Sequence, residues 1–246
     1  MDNALYVGLS RQMVLRRQMD IIANNIANSD TNGFKFESLM TKESTAEKAF
    51  SVGISDPVKF VADAGVARDF GQGGLRRTDA PLDLAVEGQG FFKINTKDGE
   101  RFTRDGRFRT DDTGRLTTQA GAPVADDGGG EITIDPQKGQ VTVAPDGTVS
   151  QGAERIGKVG VFTFADLSVL EKSGDNLFQN TSNQQPAPAA DAKVRQGMLE
   201  GSNVNSVLEI TRMIEVSRAY EQTTQMMAAE AELARSAISR LGQVQQ

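Results

Sequence analysis

Four carboxylates stand in adjacent pairs, Asp111-Asp112 and Asp126-Asp127, and they are the first chemical candidates in this 246-residue chain. Two facing carboxylates can act as acid and nucleophile on a glycosidic bond, and a cluster of them can hold calcium. Gly88-Gln89-Gly90 is a third candidate, because a G-x-G turn opens the phosphate-cradling fingerprint of dinucleotide sites. Each has a plainer reading. Thr113-Gly114 follows the first pair and Gly128 to Gly130 follow the second, so hairpin turns account for both. Neither an EF-hand spacing nor a nonapeptide calcium repeat is present. The dinucleotide fingerprint needs a third glycine at position 93, which is Lys, so Gly88 and Gly90 read as a β-turn.

Composition removes most of the remaining chemistry. The chain has no Cys and no His, which excludes thiol catalysis, disulfides, imidazole bases and the usual transition-metal ligands. No catalytic, cofactor or metal residue is therefore assigned. Net charge is −6 with both signs mixed, and with no Trp and two Tyr there is neither a basic footprint nor a stacking platform for nucleic acid. No run approaches the roughly 18 apolar residues of a membrane span. Arg11, Arg16, Arg17 and Asp20 interrupt the first thirty residues, so no secretory h-region is expected there.

Two long helices frame whatever the middle does. Stepping by threes and fours, Ser206, Ile210, Met213, Ser217, Tyr220, Thr224, Met227, Ala231, Ala234, Ile238 and Leu241 form a mostly apolar seam at coiled-coil spacing. A helix of about 36 residues is roughly 54 Å long, more than a small compact domain requires. Near the N-terminus, Leu5, Gly8, Gln12, Leu15, Met19, Ile22 and Ile26 keep the same alternation, widened by Leu9 and Ala23. Val7, Val14 and Ile21 recur every seven residues on a neighbouring face, which predicts contacts to more than one partner. A helical hairpin closing a monomer and a surface for assembly both fit this pattern.

The first helix is expected to end where Asn28, Ser29, Asp30, Thr31, Asn32 and Gly33 collect, with Phe34 and Phe36 starting an extended stretch. Asn24, Asn25 and Asn28 near that end fit amide bonds to the terminal carbonyls, or a polar contact to another chain that fixes register. A short helix is expected over Thr41 to Phe50, followed by Val52 to Val61, interrupted by Pro57, and a Gly-rich passage to Gly74. From Leu75 onward short apolar runs alternate with Asp-Gly and Thr-Gly turns, the pattern of an antiparallel β domain. Those runs are Leu82 to Val86, Phe91 to Ile94, Phe108 to Thr110, Leu116 to Thr118, Ile132 to Ile134, Val141 to Val143 and Val159 to Phe164.

The expected fold class is thus α+β: long N- and C-terminal helices paired as a coiled coil, with a central antiparallel β domain, a sandwich or rolled sheet, inserted between them. The expected division is residues 1–36 as the first helix, 37–74 as an extended connection, 75–182 as the β domain, 183–205 as linker and return segment, and 206–246 as the second helix.

Five blocks point further. They are Ile21-Ile22-Ala23-Asn24-Asn25-Ile26-Ala27-Asn28 with Thr31-Asn32-Gly33-Phe34-Lys35, then Leu84 to Phe92, Phe102 to Phe108, Gly197 to Asn205, and Glu209 to Tyr220. In these blocks the chain resembles the bacterial flagellar basal-body rod and hook-like axial proteins, in the family's order and from end to end. The opening Met1 to Tyr6, and Gly201 where distal-rod members more often carry Thr, are similar to the proximal-rod branch; a distal-rod member is the alternative. Asn32, where many relatives have Pro, and Asp30 are departures that would loosen the turn.

The resemblance implies an inner coiled coil stacking helically around an export channel, with the β domain projecting outward. It implies copies of itself, other proximal-rod subunits and the distal-rod protein as partners, with the flagellar type III apparatus as export route. It places the protein in the periplasm-spanning rod of the basal body, exported without a cleaved signal, a structural subunit with no enzymatic activity and no cofactor. The subunit interface is then expected on Leu5, Leu15, Met19, Ile22, Ile26, Ile210, Met213, Ser217, Tyr220, Thr224, Met227, Ile238 and Leu241. The signature turns are Asn24, Asn25, Asn28, Gly33, Phe34, Gly88, Gly90, Phe91, Gly201 and Asn203. A calcium- or glycan-binding β domain remains the reading from another class.

Overall fold

The computed structural model describes residues 2–45, 59–182 and 184–243. Two helices stand at the ends of the chain, α1 (Asp2–Ala27) and α2 (Ser206–Gln243), and a long run of short antiparallel strands lies between them. The fold class is α+β. Among the described residues none of the sheets closes into a barrel.

The chain divides into two compact units. The first holds α1, residues 37–68 and α2. Its helices run antiparallel, because Gly8 faces Met227 while Asn25, at the other end of α1, meets Glu209. Leu15, Ile22 and Val216 are buried together, with Met19, Ile26, Met213, Ala219 and Tyr220 packed around them. Each such side chain contributes about 1.5–3 kcal/mol when fully withdrawn from water. Gly8 allows the close approach: a Cβ there would stand 2.7 Å from Met227 Cγ. In the same unit β1 (Phe36–Thr45) pairs with β2 (Lys59–Asp69).

That pairing corrects the short helix expected over Thr41 to Phe50. Thr41 to Thr45 belong to β1, and residues 46–50 lie outside the described residues, as do 52–58 of the expected Val52 to Val61 stretch. The alternating run from Phe36 finds a strand partner in β2, and pairing overrides a weak local preference.

The second unit comprises residues 28–36 and 69–204. Its six-stranded sheet runs, in spatial order, Leu170–Lys172, Leu177–Asn180, Gly99–Thr103, Phe91–Thr96, Val161–Thr163 and Ala187–Pro188. Neighbouring side chains on a strand point to opposite faces, so the adjacent pair Phe91 and Phe92 supplies both sides of this sheet. Phe92 joins Leu84, Val86, Ile94, Phe108, Leu116 and others in one core. Phe91 joins Phe102, Phe162, Phe164, Leu170 and Phe178 in a second. The second core is built from edge-to-face rings, with Phe102 and Phe164 centred 4.8 Å apart and Phe70 against both Phe91 and Phe178.

Of the apolar runs seen in the sequence, Ile132 to Ile134 makes only an isolated bridge through Thr133 rather than a strand. Strands over Lys193–Gln196 and Met198–Glu200 lie inside the stretch expected as linker and return, paired with Leu84–Glu87 and Leu75–Arg77. Ala187–Pro188 holds the sheet edge, where the missing N–H of proline is tolerated.

Candidate functional site

Two buried polar clusters gather the signature blocks, one in each unit. In the first unit the cluster centres on Asn25, which is fully buried in the last turn of α1. Its Nδ2 donates to the Glu37 carbonyl at 2.7 Å, and its Oδ1 accepts from the Glu37 N–H at 3.1 Å, so the amide pairs with the strand backbone as another strand would. The second Nδ2 hydrogen goes to Glu209 Oε2 at 2.9 Å. Glu209, 1% exposed, also receives Arg212 Nη1 at 2.7 Å, and Glu37 receives Arg68 Nε at 2.9 Å. Asn205 starts α2 by accepting the Leu208 N–H on its side-chain oxygen. Asn25 therefore neither caps terminal carbonyls nor waits for another chain; its contacts are met within this one. Asn24 is exposed, and Asn28 belongs to the other unit.

In the second unit the cluster centres on Glu200, which is completely buried. Its Oε1 receives Lys35 Nζ at 2.6 Å and the Gly73 N–H at 2.9 Å, and its Oε2 receives Arg104 Nη1 at 2.9 Å. Lys35 also donates to the Gly71 carbonyl at 2.7 Å, and Arg104 to the carbonyls of Val86 and Gly88. The guanidinium lies over the Phe91 ring, 5.2 Å from its centre. Two cations thus share one anion out of water. Burial pushes the Lys35 ammonium below its ordinary range, and Glu200 offsets this only in part while Arg104 adds to it. Arg104 is lowered for the same first reason.

The turn after α1 is fastened onto this cluster. Gly33 donates its N–H to the Glu200 carbonyl at 2.8 Å and holds φ at +69°, where a Cβ would stand 2.5 Å from backbone atoms of Arg104 and Asp105. Asn176 Nδ2 donates to the Asn32 carbonyl at 2.6 Å, and Arg76 reaches Asn32 Oδ1, so the departure from proline is held by polar bonds. Asn203 accepts the Phe36 N–H at 2.7 Å and donates to the Asp69 and Gly71 carbonyls. Gly201 donates to the Gly74 carbonyl, and Phe34 is buried with Lys172 over its ring. Gly88 and Gly90 form the turn leading into Phe91, with left-handed φ of 98° and 146°.

The carboxylates that opened the chemical question are turn makers. Asp111 accepts from the Thr113 hydroxyl and N–H and from Arg115, contacts that hold its carboxyl well below the usual range. Asp126 accepts the N–H groups of Gly128 and Gly130. A groove of about 550 Å³ beside Asp111, Asp112 and Asp135 has Leu82, Ile134 and Val141 along it, but Asp135 is taken by the Gln137 N–H. A further groove, about 560 Å³, carries Asp105 and Arg107, which are bound to each other. Among the described residues no group of three or more carboxylates is placed to hold a metal.

The expected interface residues fall into two sets. Leu15 and Ile22 are buried, and Met19, Ile26, Met213, Tyr220 and Met227 are partly buried along the contact between α1 and α2, while Leu5 is half-buried near the start of α1. At alternate positions the intrachain seam uses the residue before the expected one: Glu209, Val216 and Thr223 are buried, whereas Ile210 and Thr224 are exposed and Ser217 is half-buried. Thr224 still accepts Gln12 Nε2 at 2.7 Å. Ile238 is 68% exposed, and the side chain of Leu241 lies outside the described residues. Counting apolar residues could not select Glu209 or Thr223, whose polar atoms are satisfied by Asn25 and by the Ala219 carbonyl. Lys35, Arg104 and Glu200 were present in the signature blocks, but as charged residues they carried no signal of meeting in a core.

Comparison with known proteins accounts for the blocks. Residues 5–35 match the family model described as flagella basal body rod protein, 85–151 the flagellar hook protein FlgE/F/G D1 domain, and 195–240 the flagellar basal body rod FlgEFG protein C-terminal. The flagellar basal-body rod protein FlgF of Caulobacter vibrioides is 59% identical over 99% of this chain and 100% of its own length. FlgF of Mesorhizobium japonicum is 36% identical over 98% and 99%, and the rod protein FlgG of Bacillus subtilis 31% over 95% and 97%.

Proposed function

Given that this chain belongs to the flagellar basal-body rod protein family and is a structural subunit of that rod, we propose that it stands in the proximal rod and transmits torque through helix-on-helix packing. On this reading α1 and α2 form a coiled coil in the inner wall around the export channel. The β unit, layered as a sandwich about its two cores, packs outward on neighbours and resists twist. Its partners are copies of itself, other proximal-rod subunits and the distal-rod protein, in the periplasm-spanning part of the basal body. Delivery by the flagellar type III apparatus belongs to the same reading.

The observation that carries it is the apolar surface left on both helices after they have packed together. Tyr6, Met13, Val207, Ile210, Ile214, Met226, Leu233 and Ile238 each remain about half exposed or more. Such a surface marks a partner interface, and isolated helices draw most of their stability from packing. The proximal position rests on the 59% identity to the FlgF of Caulobacter vibrioides and on the opening Met1 to Tyr6 with Gly201. The test is an electron micrograph of basal bodies from cells lacking the protein. Rods that stop at the proximal part are expected, and rods of normal length would overturn the assignment.

A further inference from the structure

Two of the exposed stripes on the helix pair have matching form. On α1, Tyr6, Leu9 and Met13 are 61%, 47% and 66% exposed; on α2, Val207, Ile210 and Ile214 are 73%, 49% and 48% exposed. Both sets have the spacing i, i+3, i+7, so each makes one straight apolar stripe of two turns, roughly 10 Å long at about 1.5 Å per residue. Each lies on the side of its helix turned away from the buried positions, Leu15 and Ile22 on α1 and Glu209, Val216 and Thr223 on α2. The two stripes sit at opposite ends of the antiparallel pair. Gly8 is level with Met227 and Asn25 with Glu209, so the α2 stripe is level with about residue 25 of α1.

We propose that the Val207–Ile210–Ile214 stripe of one copy docks on the Tyr6–Leu9–Met13 stripe of a second copy, the two helices antiparallel; this rests on the rod-subunit reading and names its self-contact. Charge selects the direction. In a parallel match Arg17 would face Arg218 and Asp20 would face Glu221, like charge on like; the antiparallel match carries these residues to opposite ends of the contact. Because α1 and α2 are already antiparallel within a copy, the antiparallel match leaves both copies pointing the same way. Their offset along the helices is about 15 residues, roughly 22 Å.

The two surfaces differ, so the contact is heterologous and each copy keeps one unused stripe for the next, which generates an open helical row rather than a closed dimer. Three side chains from each copy cover about a few hundred Å² per partner, below the roughly 800 Å² per partner of a stable complex. The contact is therefore weak between two copies and persists only where further neighbours reinforce it. Met226 and Leu233, on a flanking face of α2, remain for other rod subunits.

The absence of cysteine makes the test clean, since any introduced thiol is unique. Cells expressing Leu9→Cys and Ile210→Cys versions with different tags are mildly oxidised, and basal bodies are purified and blotted for both tags. A doubly tagged band at twice the monomer mass is expected only when both variants are present, and Leu9→Cys with Leu233→Cys should give none. Self-cross-linking of either variant alone, or no doubly tagged band although both proteins are in the basal bodies, overturns the docking. Cross-links from the Ile210→Cys variant only to other rod proteins overturn it as well. Absence of the protein from basal bodies would instead count against the rod-subunit reading.

Discussion

Glu200→Gln and Lys35→Met each remove one member of the same buried cluster, and they should differ sharply in cost. Glu200 is the carboxylate that both buried cations touch, at 2.6 Å from Lys35 and 2.9 Å from Arg104. With Gln at 200 the two positive charges remain out of water, facing an amide whose NH2 competes for the same space. Breaking a buried pair by removing one partner costs about 3–5 kcal/mol. Lys35→Met leaves a neutral pair instead. Glu200 keeps Arg104 on one oxygen and the Gly73 N–H on the other, and the Gly71 carbonyl keeps Asn203 Nδ2 at 3.2 Å. No polar atom is orphaned, so the net change is about 1 kcal/mol or less in either direction.

Urea unfolding followed by far-UV circular dichroism separates the two. With slopes of about 1–3 kcal/mol per molar urea, the β-unit transition of Glu200→Gln should fall at least about 0.7 M below that of Lys35→Met. Equal midpoints, or Lys35→Met the lower, would refute the reasoning, because they would mean that Glu200 does not hold both cations at once.

Lys35 also predicts a pH response. Its ammonium is depressed in the folded state, so the native protein binds fewer protons than the unfolded chain, and stability should rise as pH climbs from the lowered value toward 10.5; the rise should be absent in Lys35→Met, read as the difference in urea midpoints. Gly33→Ala forces a side chain into a left-handed φ against backbone that cannot yield, and should cost about 1–3 kcal/mol in the same assay. Asn25→Asp keeps the acceptor for the Glu37 N–H but sets a second carboxylate against Glu209, so its helix melting temperature should lie below that of Asn25→Ala at neutral pH, with the order narrowing in acid. Gly8→Val should weaken the helix pair by driving Cβ into Met227, and Met227→Ala should restore part of the loss in a double-mutant cycle.

The helices and most of the strand runs were legible because they are written in periodic apolar residues and in Asp-Gly turns. What the sequence hid were contacts between residues of the wrong polarity for a core. Glu209 occupies a seam position that apolar counting assigned to Ile210, one residue later, because a strict count places the stripe where the greasiest residue stands. The carboxylate is tolerated there because Asn25, 184 positions away, supplies an N–H to one oxygen and Arg212 pairs with the other. Over Thr41 to Thr45 the expected helix gives way to strand for a similar reason: β2 as a pairing partner is invisible to local preference. Lys193 to Glu200 read as a return segment because a few residues of strand between polar neighbours resemble a linker until their partners are known.

The distances in sequence within these clusters bear on how the chain folds. Lys35 and Glu200 are 165 positions apart, and Arg104 and Glu200 are 96 apart. Until Glu200 arrives, neither cation has a counter-charge out of water, so this polar cluster cannot close from the N-terminal part of the β unit alone. The first unit has the same dependence, since Glu37 is paired by Asn25 early in the chain while the remaining Nδ2 hydrogen of Asn25 finds its acceptor only in α2. Structures completed by such non-local contacts fold late and slowly, because loop closure precedes any reward. For a subunit that on the proposed reading is exported unfolded, this is an advantage: neither polar cluster closes until residues far apart in the chain are both in place. The outward stripes of α1 and α2 then become a surface only after the pair has formed, which confines assembly to chains that have finished folding.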